Sequence, residues 1–202
     1  MKQELAELLD LLDLEKIEVN MFRGVSPSEG WQRVFGGQVI GQALVAASRT
    51  VEDVCRTAHS LHGYFLRPGD TTIPILYNVD RIRDGKSFTT RRVVAVQKGR
   101  PIFSMSVSFQ VAEAGLEHQI EMPKVPAPED CMNSQEMRAD YLSDIPEEFR
   151  NRMTRPQPIE MRFTEPFNEF KPEKMAPTQS VWIKTADAMP NDIRVNQCLL
   201  AY

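Results

Sequence analysis

The sequence predicts an α+β fold in which an antiparallel sheet wraps around one long buried helix. Residues 34–47 contain no charged side chain and many small ones, which is typical of a helix that is buried nearly all round. Residues 59–111 then read as consecutive strands separated by turn sequences. This order of elements is the hotdog arrangement, although an α+β sandwich of another topology would give a similar pattern.

The elements around the buried helix follow from their periodicity. Leucines at i, i+3, i+4 and i+7 spacing predict a first amphipathic helix over 5–12. Strands are predicted at 59–66, 73–82, 88–97 and 103–111, and the pair Asp84-Gly85 indicates a hairpin. The last of these strands is the clearest, because apolar residues alternate with serine and glutamine from Phe103 to Val111.

Composition changes after residue 112. Residues 113–158 contain six of the 14 prolines and are predicted to be a connector with some helix, which Asn133 and Glu136 would open as a capping box. Strands are then predicted at 159–163 and 180–186, followed by an apolar helix after Asp192. That helix has no recognisable stop signal before Tyr202, so the sequence is expected to be a fragment or a truncated product.

Charge and composition exclude several classes of function. With 24 basic and 28 acidic residues, the chain offers no general electrostatic affinity for nucleic acid. No apolar run is long enough to cross a membrane, and the three cysteines lie far apart, without zinc spacing. The cysteine usage and the absence of a signal sequence favour the cytoplasm.

Many separate motifs, in one order and spacing, resemble the acyl-CoA thioesterase II family, the double-hotdog thioesterases of bacteria and peroxisomes. The resemblance extends over essentially the whole chain. It rests on the segments 14–18, 22–24, 34–43, 59–70, 83–88, 91–93, 99–103, 108–110, 181–183 and 192–197. Two of these read Val34-Phe35-Gly36-Gly37-Gln38-Val39-Ile40-Gly41-Gln42-Ala43 and Arg83-Asp84-Gly85-Lys86-Ser87-Phe88.

The resemblance implies two fused hotdog repeats. The first would occupy residues 1–112, the connector 113–158, and the incomplete beginning of the second repeat 159–202. It also implies hydrolysis of fatty acyl-CoA to a fatty acid and CoA, with no metal or organic cofactor. The family's Asp, its Thr or Ser, and its Gln would come later than Tyr202, so the 202-residue chain alone is predicted to be inactive.

Within the chain, His59 is the predicted catalytic residue, and the resemblance places it at a position proposed to matter for activity. His59 and His62 are three residues apart on one strand, so one of them is expected to face inward and the other to face solvent. A core histidine bonded to the backbone is the plainer interpretation of His59.

Predicted substrate contacts are made by Gly37, Gln38, His62 and Arg91. The start of the buried helix offers free N–H groups that could polarise a carbonyl, although Gly37 and Gly41 also suit a purely steric role. Arg91 belongs to a basic run around the 83–88 hairpin that could meet the phosphates of CoA or simply be solvated.

Three functions remain open at this point. The first is acyl-CoA hydrolysis, and the second is a non-catalytic hotdog module that binds acyl-CoA or serves assembly. A hotdog dehydratase is the third, but it expects a His paired with a carboxylate. A homo-oligomer is expected in each case, because open sheets expose edges that pair with a partner.

Overall fold

The structure, a computed structural model, describes residues 1–27 and 32–202, and for Arg152 it describes the backbone alone. The helices are α1 (Gln3–Leu12), α2 (Gly36–Ser48), α3 (Ser134–Asp140), α4 (Glu147–Met153) and α5 (Ile193–Ala201). The strands are β1 (Glu15–Glu18), β2 (Met21–Gly24), β3 (Arg56–Phe65), β4 (Ile75–Asp84), β5 (Phe88–Gln97), β6 (Arg100–Val111), β7 (Met132–Asn133), β8 (Ile159–Phe163) and β9 (Val181–Thr185).

Two units are formed along the chain. The larger one combines Leu9–Leu116 with Met189–Tyr202, and the smaller one combines Met1–Leu8 with Glu117–Ala188. Each unit has its own sheet and is described separately. The repeat boundaries predicted from the resemblance stay a prediction.

The larger unit is an antiparallel sheet of six strands in the order β1-β2-β4-β5-β6-β3. The helix α2 packs against the same face of β2, β3, β4, β5 and β6. Apolar side chains of α2 and of the sheet form one continuous core, which includes Val39, Ala43, Leu44, Ala47, Tyr77, Val93, Ala95, Phe103, Met105, Val107 and Phe109. The predicted arrangement of a sheet around a buried helix is therefore confirmed.

The alternation predicted in β6 is present. Phe103, Met105, Val107 and Phe109 are buried, whereas Ser106 is exposed. Period two places every second side chain of a strand on the same face, so these four point at the helix.

Two short strands were not predicted. The four residues of β1 are all exposed, and β2 is equally short, so neither shows a usable alternation. Their pairing with each other and with β4 extends the sheet at one side. The remaining strands of the sheet differ from the predicted bounds by three residues or fewer at each end.

The strand β3 lies at the opposite side of the sheet and pairs only with β6. Its register shifts between Ala58 and Ser60, which is a β-bulge centred on His59. A bulge rotates the residues that follow it and is common at sheet edges. Residues 59–62 are all exposed.

The helix α5 belongs to the larger unit and packs against α2. It begins where expected, because the Asp192 side chain accepts hydrogen bonds from the backbone N–H groups of Arg194 and Val195. Arg194 then donates to the carbonyls of four residues around the end of α2, namely Ser48, Val51, Asp53 and Arg56. Gln197 pairs with both the N–H and the C=O of Ala58, at 3.1 and 2.7 Å.

The smaller unit contains a three-stranded sheet in the order β7-β8-β9. The predicted capping box is present: Asn133 accepts from the backbone of Glu136, and the Glu136 side chain accepts from the N–H of Asn133. The core of this unit is formed by Met137, Tyr141, Ile145 and Phe163. No helix among the described residues is long and apolar enough to cross a membrane.

Candidate substrate site

A cavity of about 400 Å³ opens at the start of α2, beside the end of β3 and the start of β6. Ligand pockets of small molecules typically measure about 300–1,000 Å³. Its wall is mostly apolar, and the charged residues described in it are two arginines. The lining residues are Arg33, Val34, Gly36, Val39, Phe65, Leu66, Arg67, Pro68, Gly69, Ile102 and Phe103.

The first turn of α2 lies at this cavity and has no side-chain cap among the described residues. Phe35 occupies the N-cap position in an extended conformation and gives no side-chain hydrogen bond, and the first turn holds no acidic residue. The first N–H groups of a helix have no partner within the helix and carry partial positive charge. The beginning of α2 can therefore stabilise an anion or a polarised carbonyl.

The two glycines at this end of α2 have different neighbours. A Cβ atom at Gly36 would lie 3.0 Å from Cζ of Phe65, inside the cavity wall. A Cβ atom at Gly37 would lie 1.8 Å from the Tyr202 carbonyl oxygen, and one at Gly41 would lie 3.2 Å from the Cys198 carbonyl oxygen. Gly37 and Gly41 thus allow α5 to cross close to α2, which supports the steric interpretation of both glycines.

Gln38 is buried and engaged within the chain. Its Nε2 donates to the Val25 carbonyl and to the Ser26 hydroxyl, each at 3.0 Å. Next to it, Gln42 accepts from the Tyr77 hydroxyl at 2.7 Å and donates to the Leu11 carbonyl at 2.6 Å. Burial raises the pKa of Tyr77 well above its usual range, so this hydroxyl stays protonated. These contacts hold α2 and the segment before it in place.

Both histidines of β3 are exposed, so neither faces inward and His59 is not a core histidine. His59 Nε2 lies 2.9 Å from the hydroxyl of Ser108, and its ring is tilted against that of Phe88, with centroids 5.7 Å apart. His62 packs against Tyr64, with ring centroids 4.8 Å apart. Neither histidine lines the cavity, and their catalytic and substrate-binding roles stay predictions.

Arg91 is 1% exposed, and every N–H group of its guanidinium has a partner. It donates to the hydroxyl and carbonyl of Thr50, to the carbonyls of Arg83 and Thr90, and to the carboxylate of Asp84. A guanidinium has five N–H groups, so none remains for a phosphate. These contacts favour a structural role for Arg91. Its contact with CoA stays a prediction.

Two further arginines of the basic run are paired. Arg81 forms an ion pair with Glu52, and Arg92 forms one with Asp80 on the neighbouring strand. Such exposed ion pairs are typical of a solvated surface. These two arginines are therefore engaged within the chain.

The loop that forms one wall of the cavity is fixed by Gln97. The buried amide of Gln97 accepts from the N–H of Asp70 and donates to the carbonyls of Asp70 and Ile73. The carboxylate of Asp70 accepts from Thr72 and from Lys98, and these contacts lower its pKa to about 2. The loop also meets the segment before α2, because the Val34 N–H donates to the Gly69 carbonyl at 3.0 Å.

The sequence did not indicate Arg33 and Arg67 as site residues. Both lie in loops, and only the packing of the 33–39, 65–69 and 102–103 segments brings them to one cavity. Within residues 1–27 and 32–202, no three His, Cys, Asp or Glu side chains converge as metal ligands would. The chemistry available here is an electropositive helix start, two guanidinium groups and an apolar wall.

Comparison with known proteins gives two family matches along the chain. Residues 27–110 match the model of the acyl-CoA thioesterase N-terminal domain, and residues 149–202 match that of acyl-CoA thioesterase. The chain is 42% identical over 202 residues to acyl-CoA thioesterase 2 of Haemophilus influenzae, covering 100% of this chain and 70% of that protein. It is 39% identical to acyl-coenzyme A thioesterase 8 of Homo sapiens, covering 95% of this chain and 62% of that protein.

Solved structures agree with this result. An acyl-CoA thioesterase II, TesB2, from Mycobacterium marinum has a TM-score of 0.69 at 38% identity, over 96% of this chain and 65% of its own. A hot dog fold protein from Alicyclobacillus acidocaldarius has a TM-score of 0.72 at 17% identity, over 100% of this chain and 69% of its own, and supports the fold alone. The sequence and fold agree over essentially the whole chain, and it belongs to the acyl-CoA thioesterase II family of hotdog proteins.

Proposed function

We propose that this chain forms part of an enzyme that hydrolyses fatty acyl-CoA thioesters to a free fatty acid and CoA. The chain spans 62–70% of the length of the two curated relatives described above, both named acyl-CoA thioesterases. The observation that carries the proposal is the apolar cavity at the uncapped start of α2. An acyl tail suits the apolar wall, and a thioester carbonyl suits the partial positive charge beside it.

The chemical step divides between two sets of groups. The water is activated by the Asp, Thr or Ser, and Gln trio that the family resemblance implies, at positions later than Tyr202. General-base activation of water typically contributes about 10²–10⁴-fold to a rate. The N–H groups at the start of α2 stabilise negative charge on the carbonyl oxygen as the tetrahedral intermediate forms. The thiolate of CoA then leaves, and the apolar wall keeps the acyl tail aligned.

Release of free thiol from a panel of acyl-CoAs tests this proposal. The 202-residue chain is compared with a version that continues with the residues following Tyr202 in its reading frame. Thiol release by the longer version alone supports the proposed function, and His59→Ala in that version then tests the predicted role of His59. If both versions bind acyl-CoA and neither releases thiol, the proposed hydrolysis is overturned. The result would then favour a non-catalytic acyl-CoA-binding module.

We also propose that the protein acts in the cytoplasm as a homo-oligomer. The edge of β3 supports this, because residues 59–62 are exposed and β3 pairs with β6 alone. A free strand edge is a template for pairing with another chain. Sedimentation velocity on the longer version tests the assembly, and a stable monomer contradicts it.

A further inference from the structure

We propose that the cavity at the start of α2 retains the free fatty acid, with the tail against its apolar wall and the carboxylate held by Arg33 and Arg67. The choice of a fatty carboxylate rests on the proposed function, whereas binding itself requires no hydrolysis. The enzyme would then be inhibited by its own acidic product. Four properties of the cavity support this inference.

The floor of the cavity is apolar. Val39, Ile102 and Phe103 are buried, and the Phe65 ring packs against Phe103 with centroids 4.9 Å apart. Phe65 itself is 57% exposed, so the wall has a half-open aromatic side along which a tail can enter. Burying such a tail stabilises the complex by about 25 cal/mol per Å² of apolar surface.

The charge of the cavity has one sign. Among the described residues, its lining contains two guanidinium groups and no carboxylate. The Arg67 side chain is oriented by one hydrogen bond, from Nη1 to the Pro101 carbonyl at 2.7 Å, and its other N–H groups have no acidic partner among the described residues. Arg33 is exposed and forms no ion pair with any carboxylate in the part of the chain that the structure describes.

The loop between these groups is held in place without a ligand. Gln97 fixes the backbone of Asp70 and Ile73, and the Gly69 carbonyl accepts from Val34. The carboxylate of Asp70 is occupied by Lys98 and Thr72, so it does not neutralise Arg67. A site whose loop is already ordered loses less conformational entropy on binding.

A carboxylate suits this site better than the thioester from which it forms. The thioester carbonyl is neutral, whereas the released carboxylate is charged and can accept charge-assisted hydrogen bonds from the guanidinium groups. CoA places its phosphates at the far end of a long flexible arm, so the group nearest the acyl tail after hydrolysis is the new carboxylate. The cavity therefore distinguishes product from substrate by charge at a single position.

Isothermal titration of the 202-residue chain measures this directly. Decanoate is compared with decan-1-ol, which has the same tail and a neutral head, and with CoA, which has the phosphates and no tail. We expect decanoate to bind at least tenfold more tightly than decan-1-ol, and CoA neither to bind nor to displace it. If CoA displaces decanoate from the chain, the two arginines bind phosphate instead of a carboxylate. That result would overturn the inference.

Three variants separate the head from the tail. Arg33→Gln and Arg67→Gln are each expected to weaken decanoate binding about tenfold while leaving decan-1-ol unchanged, as the loss of a charge-assisted contact predicts. Gly36→Leu, whose side chain extends toward the mobile end of Phe65, is expected to weaken both ligands. The control Arg92→Gln removes an exposed guanidinium outside the cavity and is expected to change neither.

The two proposals fail in different ways. Decanoate affinity that is equal in the wild-type chain and in both cavity-arginine variants overturns the inference, even if the longer chain releases thiol. Decanoate binding that depends on Arg33 and Arg67 supports the inference, even if no thiol is released and the proposed function fails. The thermal midpoint of each variant confirms that it is folded.

Discussion

The two ends of α2 differ. Its carboxyl end lies among many polar contacts, whereas its amino end lies at a cavity. Arg49 binds the Leu14 carbonyl and the Asp13 carboxylate, Arg91 binds Thr50, and Arg194 binds the carbonyls of Ser48 and Val51. The amino end has an extended, uncapped Phe35 and two adjacent glycines. One end of the helix is fixed by the protein's own guanidinium groups, and the other has no side-chain cap among the described residues.

This difference shows how the same residue type serves two purposes. An arginine is a structural clamp when carbonyls and carboxylates of the chain occupy all of its donors, as for Arg91. It is available for an anion when it lines a cavity and forms no ion pair with a described carboxylate, as for Arg33. The sequence neighbourhood does not separate the two cases, since both lie beside other charged or polar residues.

The largest expected effect is at the carboxyl end. Arg91→Met keeps most of the side-chain volume but leaves the carbonyls of Thr50 and Arg83 without a donor. We expect the free energy of unfolding to fall by about 3 kcal/mol, as for other losses of a buried polar network. Urea unfolding monitored by circular dichroism measures it.

The matched control for this substitution is the neighbouring residue. Arg92 is 55% exposed in its side chain and pairs with Asp80 at the surface. Arg92→Met is expected to change stability by less than about 1 kcal/mol. Equal losses in the two variants would show that Arg91 is not a clamp.

A smaller effect is expected at the amino end. In Gly37→Ala the new methyl group meets the Tyr202 carbonyl, just after α5, and the Phe35 ring, so both must shift. We expect a loss of about 1–3 kcal/mol, the usual cost of overpacking, measured as the urea midpoint.

Gly36→Ala is the control for the helix itself. The nearest described atoms to its methyl group belong to the end of the exposed Phe65 ring, which can give way. Since alanine is favoured over glycine in a helix by about 0.5–1 kcal/mol, this variant is expected to be neutral or slightly more stable. A destabilised Gly36→Ala with an unaffected Gly37→Ala would reverse the assignment of the two glycines.

The smallest effect concerns the loop that borders the cavity. Hydrogen bonds from Thr72 and Lys98 lower the pKa of Asp70 to about 2, from an ordinary value of about 3.8. A lowered carboxyl pKa stabilises the fold above the unfolded-state pKa, and this stabilisation is lost as the pH falls through the folded-state pKa. Asp70→Asn is therefore expected to flatten the pH dependence of the urea midpoint between about pH 4 and pH 2.

The comparison for this variant is made at two pH values. At pH 7 the wild-type chain is expected to be the more stable, and at pH 2 the two midpoints are expected to converge. A difference that stays constant from pH 7 to pH 2 would contradict the role of the Asp70 charge. Because the carboxylate is exposed, salt is expected to weaken the difference.

Local patterns were sufficient for much of the fold. The alternation from Phe103 to Val111, the Asn133 capping box and the uncharged run of α2 each depend on neighbours in sequence, and each was correctly predicted. The strands β1 and β2 were missed because four residues are too few to show a period. Their pairing depends on β4, which lies far along the chain.

The candidate site was less accessible to prediction. A bulge at His59 exposes both histidines of β3, and nothing in the alternation of the sequence announces a bulge. The burial of Arg91 depends on a carbonyl 41 residues away, that of Thr50. Arg33 and Arg67 share a cavity only because a loop and the start of α2 are joined by the Val34–Gly69 hydrogen bond.

The pairing of Gln197 with Ala58 can form only late in synthesis of the chain. The two residues are 139 positions apart, and ribosomes add about 5–20 residues per second, so the second partner is synthesised about 7–28 s after the first. During that interval α2 and the bulged end of β3 are already synthesised, but α5 does not yet cover them. The face of α2 that α5 later covers carries Gly37 and Gly41. Glycines add little apolar surface that neighbouring nascent chains could bind.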